Sequence, residues 1–95
     1  MMTGPKAEIS AALNVMHSMF EMRELMLADI NSASDLGSDE IEELADIDKA
    51  IREAAKKGDA ARRELIKKGN VTQDESSAVL GFMRSKREIL AKLEE

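Results

Sequence analysis

The sequence predicts an all-α protein, in which an antiparallel helical hairpin and a third helix form a three-helix bundle able to dimerise into a larger bundle. Three observations predict this fold. Apolar residues recur at alternating steps of three and four, Gly and Pro are few, and 35% of the 95 residues are charged while 2% are aromatic. A chain of this length is expected to make a single helical domain over residues 1–95.

The first helix is predicted over residues 6–31, after a flexible N-terminal end at residues 1–5. Pro5 suits the first turn of a helix, where a backbone N–H is not needed. The apolar side chains then follow a heptad seam along one face. That seam comprises Ile9, Leu13, Met16, Phe20, Leu27 and Ile30, with Arg23 in line.

A cluster of Asn, Ser, Asp and Gly at residues 31–39 predicts the turn of the hairpin, with its crease near Asp35. The second helix is predicted over residues 39–68. Gly58 either bends or divides it, and one helix is favoured, because a single Gly costs only about 1 kcal/mol against Ala. The seam of this helix consists of Ile41, Leu44, Asp48, Ile51, Ala55, Gly58, Arg62 and Leu65.

Two local signals separate the second helix from the third. The stretch "KKGN" at residues 67–70 predicts a helix end, with Lys near the negative end of the helix dipole and Gly after it. Thr72 and Glu75 fit a capping box. The third helix is therefore predicted over residues 73–94, returning antiparallel to the second because the link is short. Its apolar stripe is Val79, Phe82, Met83, Ile89, Leu90 and Leu93.

Antiparallel pairing of the first two seams gives one register, in which the numbers of facing residues add up to 71. Large Met16 then faces small Ala55, as in a close-packed interface. The charged residue of the first seam, Arg23, faces Asp48 of the second. We therefore predict an Arg23–Asp48 ion pair across the hairpin, at least partly buried, that fixes the register more than it stabilises the fold.

Beside the first seam, Met19, Met22 and Met26 widen the apolar face of the first helix. The simplest interpretation places this flank in the core under the third helix, because Met fills irregular gaps in cores. An alternative leaves it open as a docking face, for which flexible Met side chains are suited. A third interpretation is a Cu(I) site of Met16, His17 and Met19, since thioether and imidazole ligands suit that ion.

Composition argues against most chemistry. The chain has no Cys, one His and a net charge of −5, and it lacks the common motifs of nucleotide, zinc and serine enzymes. We therefore expect no enzyme activity, no cofactor and no metal, and the negative charge disfavours nonspecific nucleic-acid binding. No apolar run reaches the ~18 residues of a membrane span. The first ten residues contain no long apolar stretch, so no signal peptide is expected. A cytoplasmic protein without membrane contact is expected.

The function predicted from these features is a non-catalytic protein-interaction module, a small helical adaptor or a chaperone-like or regulatory protein. It would bind a partner helix or a second copy through Met19, Met22, Met26, Phe82 and Met83. The alternative is a nucleic-acid-associated regulator that uses the basic side of the second helix, formed by Lys56, Lys57, Arg62, Arg63, Lys67 and Lys68. The layout is similar to that of small secretion chaperones and phage accessory proteins, a likeness of fold alone.

Overall fold

The computed structural model describes residues 4–30 and 36–94, which form three α-helices and, within those ranges, no strand. They are α1 (Pro5–Ala28), α2 (Ser38–Lys68) and α3 (Gln73–Leu93). α1 packs along α2 as an antiparallel hairpin, and α3 packs against the hairpin. The predicted all-α three-helix fold is confirmed. The predicted crease near Asp35 lies outside the described residues.

The helix ends follow local chemistry. α1 begins at Pro5 with Gly4 as its N-cap, so the helix starts inside the stretch expected to be a flexible end. α1 ends at Ala28, three residues before the predicted end. α2 ends at Lys68, and Gly69 follows with φ of 101°, a left-handed conformation that favours Gly.

The predicted capping box at the start of α3 is confirmed. The Glu75 backbone N–H donates to the Thr72 hydroxyl oxygen at 3.1 Å, and the Thr72 backbone N–H donates to the Glu75 carboxylate at 2.9 Å. Lys68 at the end of α2 donates to the same carboxylate at 3.0 Å. The Thr72 backbone hydrogen bond, and then the Lys68 hydrogen bond, lower the pKa of Glu75 below its ordinary value. One carboxylate thus ties both sides of the link together.

The core lies between the two arms of the hairpin and α3. Its largest fully buried side chains are Phe82, Ile9, Met16, Ile51 and Leu65. All but Phe82 belong to the two predicted seams of α1 and α2. The seams therefore supply the hairpin core, and α3 contributes its one aromatic ring.

Gly58 explains how that ring is accommodated. α2 runs through Gly58 without a break, so the favoured single helix is confirmed. A Cβ built at Gly58 would overlap the Phe82 ring, whereas one built at Gly81 in α3 would meet nothing within 4 Å. The ring therefore lies directly on the α2 backbone, and the missing side chain at residue 58 makes room for it.

The predicted Arg23–Asp48 ion pair is wrong. Among the described residues, Asp48 pairs instead with Arg52, four residues along α2, with 2.6 Å between Oδ1 and Nε. Arg23 pairs with Glu24 at 3.3 Å, and its guanidinium carbon lies 6.0 Å from the centre of the Phe20 ring. Both predicted partners line the same groove between α1 and α2, but the pair does not form.

An ion pair does join helices elsewhere. Lys86 of α3 donates to Asp59 of α2 at 2.5 Å, and the three side chains of Lys86, Asp59 and Arg62 are each less than a third exposed. Arg62 Nε approaches the other Asp59 oxygen at 3.5 Å without a hydrogen bond. This cluster lies next to Gly58, so contact with Phe82 and charge pairing hold α3 against the same stretch of α2.

Candidate protein-interaction face

α3 covers one side of the hairpin. On α1, His17 and Phe20 line a groove together with four α3 residues, including Ile89. On α2, Asp59 and Arg62 face α3. These residues mark the covered face of the hairpin.

The opposite side of α1 carries a second apolar seam. Val15, Met19, Met22 and Met26 are spaced four, three and four residues apart, and so they fall on one stripe of the helix. At 100° per residue this stripe lies roughly 140–180° around α1 from His17. The methionine stripe therefore points away from the side on which α3 packs.

We call this side the open face. The open face consists of the methionine stripe and the neighbouring groove between α1 and α2, which contains no α3 side chain. The groove is lined by small apolar residues and rimmed by charged ones, namely Ala11, Ala12, Val15, Ala50, Ala54 and Ala60 with Glu8, Glu53 and Lys57.

Exposure along the open face is high for a run of large apolar side chains. Val15 is 43% exposed and Met22 is 48% exposed. Met19 and Met26 are half-buried and pack on the core beneath. A continuous apolar strip on the surface of a small domain is typical of a surface that contacts another protein.

The expectation that the methionine flank lies in the core under α3 holds only in part: Met19 and Met26 pack against the core, but Met22 is 48% exposed and the neighbouring groove has no α3 side chain. α3 packs on the other side because Gly58 offers a backbone surface for the Phe82 ring and Asp59 offers a partner for Lys86. Both α2 residues lie toward the His17 side of α1.

The structure brings together three of the five residues predicted to bind a partner. Met19, Met22 and Met26 share the open face. Phe82 is 0% exposed and belongs to the core. Met83 is 43% exposed but lies in a crevice between α2 and α3, beside Asp59 and Lys86.

The groove of the open face also contains small residues that were not predicted, among them Ala11, Ala50 and Ala60. The signal was the row of alanines on one flank of α2, which also includes Ala54. In a sequence, alanines along one flank of a helix are readily explained by the high helix propensity of Ala. Their use as a groove floor emerges only when the neighbouring stripe of α1 is found uncovered.

The three residues of the metal alternative do not converge. Met16 is fully buried, while His17 and Met19 lie roughly 160° apart around α1. Across the described residues, no group of three or more His, Cys, Asp or Glu side chains is placed to hold a metal ion.

The basic side of α2 is partly neutralised within the chain. Arg62 lies beside Asp59, and Lys68 forms an ion pair with Glu75. Lys56 lines a groove with Arg52, whose guanidinium binds Asp48 and also Glu94 at the end of α3. The hydrogen bond with Asp48, followed by that with Glu94, raises the pKa of Arg52 above its ordinary value.

No protein-family model, curated protein or solved structure matches this chain. In the described part of the chain, none of the three helices has the length and apolarity that crossing a bilayer demands.

Proposed function

We propose that this protein is a non-catalytic interaction module, a small helical adaptor that takes up an apolar helix on its open face. One observation carries the proposal. A heptad-spaced methionine stripe with half-exposed side chains runs along α1 on the side that α3 leaves uncovered. Helices dock in apolar grooves through side chains with this spacing, and Met side chains adapt to varied partners.

The groove floor supports the same role. Ala50 and Ala54 of α2 lie low beside the stripe, so an incoming helix can approach the hairpin closely. Glu53 and Lys57 form a polar rim, and such a rim around an apolar centre is typical of protein interfaces. The cytoplasmic location and the adaptor role remain parts of this proposal.

The proposal is tested with a labelled synthetic amphipathic helix that has a Leu and Ala face, using fluorescence anisotropy. Met22→Glu should weaken binding roughly 10- to 100-fold, because it puts a charge into the apolar strip. Met83→Glu is the matched control, since Met83 has similar exposure but lies between α2 and α3. Equal loss in both variants, or loss in neither, would contradict the proposal.

A further inference from the structure

We infer that the open face binds a second copy of this chain, docked antiparallel about a two-fold axis. The inference rests on the interaction function proposed above and names the partner. With the axis perpendicular to the helices, α1 lies antiparallel on α1 of the partner copy and α2 lies antiparallel on its α2, which is an isologous contact.

The methionine stripe is complementary to itself in this orientation. Its four positions, residues 15, 19, 22 and 26, are symmetric about the midpoint between 19 and 22. With the axis at that midpoint, Val15 meets Met26 of the partner copy and Met19 meets Met22 of the partner copy. Every position of the stripe then has an apolar counterpart.

The hairpin register carries this axis onto α2. Facing residues whose numbers add up to 71 line common grooves in the structure, as Leu27 does with Leu44 and Ala11 with Ala60. The same register puts Ala50 and Ile51 level with the midpoint of the stripe. The two α2 helices therefore approach each other at Ala50, where a small side chain permits close contact.

The charge on α2 selects the antiparallel orientation. Residues 38–48 hold six acidic side chains and no basic one, whereas residues 56–68 hold six basic and two acidic side chains. An antiparallel pair of α2 helices places the acidic half of each copy along the basic half of the other. A parallel pair would place like charges together, which is unfavourable.

One specific ion pair follows. With the axis level with Ala50 and Ile51, Lys57 lies within about one residue, or ~1.5 Å of helix rise, of Glu43 of the partner copy. Lys57 lines the open-face groove, and Glu43 lines a crevice with Met26 of the stripe. Neither forms an ion pair with another residue of the described ranges.

The available surface is large enough. The molecule is 52 Å long and 17–23 Å across. Overlap of most of one face hides roughly 800 Å² per copy, which is the area typical of a stable dimer.

Sedimentation equilibrium of the full chain at low salt tests this arrangement. Lys57→Glu and Glu43→Lys should each weaken the dimer roughly tenfold, since each breaks two symmetric pairs. The double variant, which has the wild-type net charge, should return to within about twofold of the wild-type dimer. Arg84→Glu, an exposed position on α3, has the same net charge as Lys57→Glu and should leave the dimer within about twofold of wild type.

A chain that stays monomeric at every concentration would overturn the inference, and so would a dimer that the double variant does not restore. Binding of the amphipathic peptide by a monomeric chain would leave the proposed function standing while the second copy is rejected. Loss of peptide binding through Met83→Glu as much as through Met22→Glu would instead reject the open face itself.

Discussion

The two faces of the α1–α2 hairpin are both apolar, yet only one of them is covered by α3. The covered face has a glycine that receives an aromatic ring and a carboxylate that receives a lysine. The open face has methionines and alanines but neither of these features. Apolar surface alone therefore does not decide where a helix docks. A missing Cβ and one interhelical ion pair select the side.

The largest expected effect comes from removing the ring of the covered face. Phe82→Ala should destabilise the protein by about 3–5 kcal/mol, because a fully buried aromatic side chain leaves a cavity. Met22→Ala on the open face should change the stability of the monomer by less than about 0.5 kcal/mol. Urea unfolding of the two variants, at a concentration where the chain is monomeric, makes the comparison. Similar losses for both would show that the two faces are equally packed.

The glycines sharpen the same contrast. Gly58→Ala should destabilise by about 1–3 kcal/mol, since the new methyl group overlaps the Phe82 ring. Gly81→Ala should instead stabilise by about 0.5–1 kcal/mol, because its Cβ meets nothing and Ala favours the helix. Thermal unfolding of the two variants should show a lower Tm for Gly58→Ala and a higher Tm for Gly81→Ala than for the wild type. Stabilisation by Gly58→Ala would mean that the ring does not lie on α2.

The sequence alone was sufficient for the helices and for the hairpin core. Pro5, Gly69 and the pair Thr72 and Glu75 act through their immediate neighbours, so their effects follow from spacing. The seams predicted Ile9, Met16, Ile51 and Leu65 as core, and these are fully buried. Local chemistry therefore predicted the helix ends, and periodicity predicted the core positions of the hairpin.

The side on which α3 packs was not predictable in the same way. A link of four residues reaches either face of the hairpin, and the methionine flank is the more apolar in composition. The choice depends on the fit of Phe82 to Gly58, a contact between residues far apart in sequence. The Arg23–Asp48 prediction failed for a related reason. Arg52 lies four residues after Asp48 on the same helix, and it binds the Asp48 carboxylate in place of Arg23.

The ion pair of the covered face should have a smaller effect than the ring. Asp59→Ala should cost about 1–2 kcal/mol, because it leaves Lys86 and Arg62 partly buried without their acceptor. A double-mutant cycle with Lys86→Ala should yield a coupling of about 1 kcal/mol. A coupling near zero in denaturant titrations would show that the ion pair does not determine the side of the hairpin on which α3 packs.

The smallest effect concerns pH at the link between α2 and α3. The pKa of Glu75 is below its ordinary value of 4.5, first because the Thr72 backbone N–H binds the carboxylate and then because Lys68 does. Its stabilising contribution is complete above pH 4.5 and is lost as the pH falls through the lowered pKa. Glu75→Gln should therefore show a weaker fall in Tm between about pH 6 and about pH 3 than the wild type. An unchanged slope would show that Glu75 does not stabilise the link.

The position of the methionine stripe is tested most directly by the rates at which individual methionines are oxidised by peroxide, followed by mass spectrometry at a concentration where the chain is monomeric. Met22, 48% exposed, should react about as fast as Met83, which is 43% exposed, while fully buried Met16 should react at least about tenfold more slowly. Protection of Met22 to the level of Met16 would place α3 over the methionine stripe and contradict the existence of an open face.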